Sequence, residues 1–177
     1  IGDGAMNNGQ VFESFNLASL WKLPVLYIIE NNKYGMGTSV DRAAAGSDLY
    51  NRGKPFGIPG ALVDGMNVFK VIEAAHKAGK YVREGKGPYI LEVQTYRYRG
   101  HSMSDPAKYR TKKELELYKA KDPIEIAHNK ILQKKIATEK ELEKINTKII
   151  KTIKNAADYA LKSPFPNNED LYTDVYV

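Results

Sequence analysis

Asp3 stands between Gly2 and Gly4, and 27 residues separate Gly4 from Asn32, which is preceded by Asn31 and followed by Lys33-Tyr34-Gly35. A carboxylate flanked by glycines can hold a hard cation while the backbone around it turns tightly and approaches an anion. The neutral amide oxygen of Asn32 can join the same ion. Residues 11–21 read as a helix that starts beside the glycines, so its first N–H groups and positive dipole end would face an anion such as a diphosphate. Leu23-Pro24 stops that helix. Residues 25–29, Val-Leu-Tyr-Ile-Ile, are short, apolar and partly β-branched, as expected of a parallel strand buried on both faces. Such a strand delivers Asn31 and Asn32 to the loop at its carboxyl end, the edge where open α/β sheets bind ligands. Asp, Asn and Gly are common turn residues singly, so the chemistry is carried by their combination and spacing.

The rest of the chain supplies elements that could position these loops. Residues 42–60 are rich in Gly, Ala and Asp without a sustained period and read as a loop or short helix over the site. Residues 60–65 suggest a short strand ending in a turn. Residues 67–83 place Val68, Val71, Ile72 and Ala75 at helical spacing, and residues 89–96 read as another strand. Strand, helix, strand implies a parallel α/β sheet, and with it an α/β fold class. A second group of chemically able residues, Arg97, Arg99, His101, Ser102 and Ser104, follows the last strand and again sits at a carboxyl end.

From residue 111 the character changes to Lys-rich helix. Thr111 with Glu114, Asp122 with Pro123 and Glu125, and Thr138 with Glu141 have the spacing of capping boxes. Ile145, Ile149, Ile153 and Ala157 form one apolar stripe, a packing face against the body or a partner subunit. Tyr172 and Tyr176 are expected to pack on a neighbour. The domain organisation is therefore an α/β domain over residues 1–110 and a helical extension over residues 111–177.

A chain of 177 residues, 42% hydrophobic, is long enough to bury a sizeable core. The absence of cysteine excludes a disulfide framework and thiolate metal sites. Leu23 to Ile29, the longest apolar run, is interrupted by Pro24 and falls far below the roughly 18 residues of a membrane-spanning helix. The net charge is +6, yet only six of the 27 basic residues are Arg and the lysines are mixed with Glu, which argues for a solvated helix face and against nucleic-acid binding. The chain opens on Ile with the glycine motif at once, although that motif should follow a strand, and so reads as truncated at its N-terminus. The Lys bias and the abundance of Ile and Asn suggest an AT-rich genome and a bacterial cytoplasm, with a mitochondrial matrix as the alternative.

Gly2-Asp3-Gly4-Ala5, the 27-residue spacing to Asn32, Trp21-Lys22-Leu23-Pro24, the run from Glu30 to Arg42 containing Tyr34-Gly35-Met36-Gly37-Thr38-Ser39, and Tyr96 to Pro106 containing Gly100-His101-Ser102-Met103-Ser104-Asp105-Pro106 together resemble the alpha subunits of pyruvate dehydrogenase, within the thiamine diphosphate-dependent 2-oxo acid dehydrogenase family. The resemblance runs from Ile1 to about Ala160. It implies a parallel-sheet thiamine diphosphate-binding fold with a C-terminal helical extension. The implied activity is oxidative decarboxylation of pyruvate with transfer of the acetyl group to a lipoyl domain of the dihydrolipoyl acetyltransferase component. It further implies Mg²⁺ held by Asp3, Asn32 and the Tyr34 carbonyl, a diphosphate met by the backbone of Gly4 and Ala5, and His101 as the catalytic and cofactor-facing residue. Ser39 and Ser102 match serines that animal relatives phosphorylate, although Lys108 precedes Tyr109-Arg110 where those relatives carry a further serine. The implied assembly is a heterotetramer of two alpha and two beta chains in which the beta subunit supplies the glutamate that activates the cofactor, so this chain alone would be inactive. A branched-chain 2-oxo acid or acetoin dehydrogenase alpha subunit, or a non-catalytic assembly fragment, are the alternatives.

Overall fold

In the computed structural model, which describes residues 1–46 and 48–175, the apolar runs resolve into three parallel strands, β1 (Leu26–Asn31), β4 (Gly60–Asp64) and β5 (Tyr89–Gln94), in the order β1-β5-β4. Tyr176, expected to pack on a neighbour, lies outside these residues. Two two-residue strands, β2 (Tyr34–Gly35) and β3 (Thr38–Ser39), form a small antiparallel hairpin between β1 and β4. The helices are α1 (Gly9–Leu20), α2 (Val40–Ala43), α3 (Val68–Arg83), α4 (Lys112–Lys119), α5 (Pro123–Gln133) and α6 (Glu139–Lys162). The chain divides into two compact units, Ile1–Asn129 and Lys130–Val177.

Within the first unit the sheet is α/β, as its sequence pattern implies. Successive side chains of a strand point to opposite faces, and β1 uses both. Tyr27 and Ile29 join Met6, Phe15, Leu49, Ile58 and Ile90 under α1 and a 3₁₀ segment (Leu49–Phe56), whereas Leu26 packs with Ala78, Val82 and Tyr89 under α3. The expected burial of both faces of β1 fails at Ile28, which is 43% exposed, because the α3 cluster covers the Leu26 end of the strand. Phe15 is fully buried and meets Tyr27 edge-on at 4.8 Å, with Phe12 and Phe56 at 6.2 and 6.1 Å. Gly53 admits this packing, since a Cβ there would drive into Ile90 and Ile58.

Helix boundaries follow local chemistry. α1 begins at Gly9, after a 3₁₀ turn (Ala5–Asn7), and ends in a Schellman arrangement: Lys22 N–H donates to Ser19 and Leu23 N–H to Ala18, with Lys22 left-handed at φ 50° where glycine is usual. Pro24 then forbids continuation. Asn67 caps α3 by accepting from Phe69 and Lys70 N–H.

In the second unit Thr138 and Glu141 form a complete reciprocal capping box on α6. None of the α6 residues is buried, and Ile145, Ile149 and Ile153 are 58, 54 and 65% exposed. Among the described residues no helix is long and apolar enough to cross a membrane.

The aromatic cluster sets the stability of the sheet's α1 face. Phe15→Ala is expected to lower stability by about 3–5 kcal/mol through lost burial and the cavity left behind, read as a fall in the urea midpoint with an unchanged slope.

Candidate functional site

Parallel pairing places the two glycine-rich loops side by side. The Ile1 amino group donates to Ile28 O, Glu30 N–H donates to Ile1 O, and Gly2 forms a parallel bridge with Glu30. Asp3 therefore emerges at the same sheet edge as Asn31 and Asn32. The loops then touch through backbone. A Cβ on Gly35 would lie 3.1 Å from Gly4 Cα, and one on Gly4 would lie 3.2 Å from Gly35 Cα. Side chains at both positions would push the loops apart.

Asp3 is 3% exposed. Its Oδ1 accepts a long bond from Asn32 N–H at 3.4 Å, while Oδ2 is buried, has no hydrogen-bond partner, and lies 3.9 Å from the position a Gly35 Cβ would take. A buried carboxylate oxygen without a donor is costly unless a cation or a proton meets it. Asn31 and Asn32 make consecutive Asx turns, in which Asn31 Oδ1 accepts from Lys33 N–H at 3.1 Å and Asn32 Oδ1 accepts from Tyr34 N–H at 3.3 Å. These turns carry the chain through Lys33 at φ 76°, and Met36 follows at φ 55°.

Tyr34 is gripped from three sides. Its carbonyl accepts from Arg97 Nη1 at 3.3 Å, its ring lies 5.2 Å from that of Tyr109, and its hydroxyl donates to both carboxylate oxygens of Glu114 at 3.0 and 3.1 Å. Burial first, and then the Glu114 carboxylate, push the Tyr34 hydroxyl up to about 12. The bond has a local consequence. Thr111 caps α4 by accepting from Glu114 N–H, but the Glu114 side chain goes to Tyr34, so the expected reciprocal capping box is only half made. Asp122 likewise caps through Ile124 N–H, with no bond involving Glu125 among those the structure describes.

The His101 loop is fastened to the first by Arg97, whose guanidinium also donates to Met36 O at 2.6 Å and Tyr109 Oη at 3.1 Å. Asp105 organises the loop from within, accepting from His101 N–H at 2.7 Å, Ala107 N–H at 2.8 Å and the Tyr109 hydroxyl at 2.8 Å. His101 is exposed, and no hydrogen bond or ion pair described here joins its imidazole to Asp3, Asn32 or Tyr34. Ser102 is exposed with its Oγ 3.1 Å from Ser104 Oγ, whereas Ser39 is half-buried in β3, opposite Tyr34. The structure thus brings Asp3, Gly4, Asn32 and Tyr34 together with Gly35, leaves Ala5 at the start of the adjoining 3₁₀ turn, and holds His101 and Ser102 on a separate loop. A cleft of about 410 Å³ beside the hairpin takes in Tyr34, Ser39 and Glu114 but neither Asp3 nor Gly4.

The donor set fits a hard cation in part. Among the described residues no three His, Cys, Asp or Glu side chains converge, so a metal here would need neutral oxygens in its shell beside the Asp3 carboxylate. Asn32 Oδ1 and Tyr34 O each retain a lone pair beyond the one in use. The Arg97 guanidinium on Tyr34 O competes for that oxygen, which makes the Asp3 carboxylate the strongest donor. Sequence reasoning misses Glu114, Tyr109, Asp105 and the fully buried Glu92 as site neighbours. Only Glu92 carries a signal, as a lone carboxylate inside an apolar strand.

The family model for the dehydrogenase E1 component matches residues 1–169. Relatives named pyruvate dehydrogenase E1 component subunit alpha are 53% identical in Rickettsia felis over 99% of the chain and 54% of the relative, and 55% identical in Rhizobium meliloti over 99% and 51%. The protein of that name described as mitochondrial in Sminthopsis macroura is 50% identical over 99% of the chain and 48% of the relative. The chain spans about half the length of the curated relatives it matches.

The hydrogen bonds to Asp105, that of the His101 N–H first, hold its carboxyl down to about 2 from the ordinary 3.8. A carboxyl depressed in the folded state stabilises the loop above about pH 3.8, and that contribution is lost as pH falls through about 2. An NMR titration should place the Asp105 midpoint near 2 and raise it in Tyr109→Phe; an ordinary midpoint would mean that the loop does not keep these bonds in solution.

Proposed function

The chain belongs to the dehydrogenase E1 component family, and from that premise we propose that it is the cofactor-binding part of the alpha subunit of a thiamine diphosphate-dependent pyruvate dehydrogenase. The observation that carries this reading is the buried, unpartnered Asp3 Oδ2 at the junction of the Gly4 and Gly35 backbones. Asp3, Asn32 and the Tyr34 carbonyl would hold Mg²⁺, and the backbone of Gly4 and Ala5 would face the diphosphate. When bound, thiamine diphosphate supplies the electron sink that decarboxylation of a 2-oxo acid requires.

The protein's own part is binding and orientation. Asp3 supplies the anionic charge that draws the cation to the sheet edge. The Asx turns at Asn31 and Asn32 fix the direction of the loop carbonyls. Arg97 keeps the His101 loop beside the metal loop, which supports His101 as a catalytic, cofactor-facing residue near the diphosphate. Ser102, exposed on that loop, and Ser39, in the hairpin, are proposed phosphorylation sites. A phosphate on Ser102 would set a charge of about −2 next to His101 and repel an anionic cofactor.

The relatives are named as alpha subunits of pyruvate dehydrogenase E1, which supports a partner subunit and pyruvate as substrate; a heterotetramer of two alpha and two beta chains and a lipoyl domain as the acyl acceptor are proposed from the resemblance of the motifs. The exposed isoleucine stripe of α6 supports a role for the helical extension in packing on a partner chain. The glutamate that activates the cofactor would come from the beta subunit.

Calorimetric titration of thiamine diphosphate with Mg²⁺ into full-length chain co-expressed with its beta subunit tests the site. Saturable Mg²⁺-dependent binding is expected, with loss on the order of a hundredfold or more in Asp3→Ala, and release of carbon dioxide from pyruvate faster than from branched 2-oxo acids. An assembled wild type that binds no thiamine diphosphate would defeat the proposal, and a preference for branched 2-oxo acids would move it to the sister enzyme.

A further inference from the structure

We infer that Glu92, a buried carboxylate outside the proposed ligand set, is a positioning residue that orients the metal loop through Asn31. The inference rests on the functional reading above and deepens it. Glu92 lies in the middle of β5, fully buried, registered with Ile29 on β1 and Leu62 on β4. A buried carboxylate in an apolar strand is retained only where hydrogen bonds compensate its desolvation. Both of its oxygens accept: Oε1 takes Asn31 Nδ2 at 2.7 Å, and Oε2 takes Tyr50 N–H at 2.9 Å.

The polarity of those bonds propagates. Asn31 is 1% exposed and has one amide nitrogen and one amide oxygen to direct. With Glu92 presenting only acceptors, the nitrogen of Asn31 must face it. Oδ1 is then the atom that meets the loop, where it accepts from Lys33 N–H at 3.1 Å. That bond holds Lys33 at φ 76°, a left-handed conformation that a residue with a Cβ avoids unless it is secured. From Lys33 the chain passes directly to Tyr34, whose N–H is taken by Asn32 Oδ1, while Asn32 N–H points back to Asp3 Oδ1. Glu92 thus fixes, at two residues' remove, the direction of the peptide groups that would supply neutral oxygens to the cation.

Glu92→Gln keeps the side-chain volume but reverses one half of the group. If the new amide's oxygen keeps Tyr50 N–H, its NH₂ confronts the NH₂ of Asn31. Asn31 must then turn over, which sets its nitrogen against Lys33 N–H and removes the Asx turn. Combining Glu92→Gln with Asn31→Asp restores every bond. The amide introduced on β5 would donate to one oxygen of the carboxylate introduced on β1, and that carboxylate's other oxygen would accept from Lys33 N–H. A group that merely fills the core would respond to volume, whereas a positioning group responds to donor and acceptor polarity.

The test uses full-length chain assembled with its beta subunit and measures calorimetrically the Mg²⁺ concentration that half-saturates thiamine diphosphate binding, with thermal unfolding alongside. Glu92→Gln and Asn31→Asp should each raise that concentration by about tenfold, the scale of one misplaced buried hydrogen bond. The double variant Glu92→Gln with Asn31→Asp should return to within about threefold of wild type. A Glu92→Gln variant with wild-type Mg²⁺ dependence, whatever its melting temperature, overturns the inference. So does a double variant that binds no better than the singles or fails to assemble. A wild type that binds no thiamine diphosphate at any Mg²⁺ concentration instead defeats the cofactor assignment itself.

Discussion

The site depends on two backbones meeting without side chains between them. Gly4 and Gly35 approach so closely that a Cβ on either would lie only 3.1–3.2 Å from the other's Cα, well inside ordinary carbon–carbon contact. Because neither carries a side chain, Asp3 can be buried against the second loop while its Oδ2 has no hydrogen-bonding neighbour. Parallel pairing makes the meeting possible. Gly2 pairs with Glu30 on one side of β1, and β5 pairs along the other, so segments remote in sequence end at one sheet edge. Hydrophobic burial beneath the sheet holds that edge in place, chiefly the Phe15 cluster on one face and the Ala78, Val82 and Tyr89 cluster on the other.

Above this core the loops are shaped by polar contacts that reach down into the sheet. Lys33 and Met36 adopt left-handed backbone in a loop that turns sharply after β1, and such residues persist when their surroundings over-determine them. Here the Asx turns, Arg97, Glu114 and the buried Glu92 do so together. Arg97 has a second effect, since its bonds to Tyr34 O and Met36 O couple the His101 loop to the hairpin. The Tyr34–Tyr109 ring contact, with the Tyr109 hydroxyl on Asp105, links the same two loops beside it.

Much of the fold is legible in short stretches of sequence. The Leu23-Pro24 stop, the apolar spacing of residues 67–83, the Thr138–Glu141 box and the apolar runs of β1 and β5 are local signals, and the structure follows them within a few residues. Departures occur where a distant group competes for a side chain. Spacing alone makes Glu114 the partner of Thr111, but the hydroxyl of Tyr34, 80 positions away in sequence, takes its carboxylate. The apolar run of β1 implies a buried Ile28, but α3 covers a different part of the strand.

The chain's sequence by itself determined which residue types could hold a cation and an anion, that Asp3 would sit between glycines and Asn32 in a loop after an apolar run, and where the main helices start and stop. These are consequences of backbone sterics, capping and side-chain periodicity, which act over a few residues. Only the tertiary structure decided that the Asp3 oxygen would be left unpartnered, that Glu92 would govern Asn31 from 61 positions away, and that Arg97 would bind the loop 63 positions before it. Those outcomes turn on strand order and register, which set hydrogen-bond partners to within ångströms, and residues so far apart carry no local signal of which partner will win.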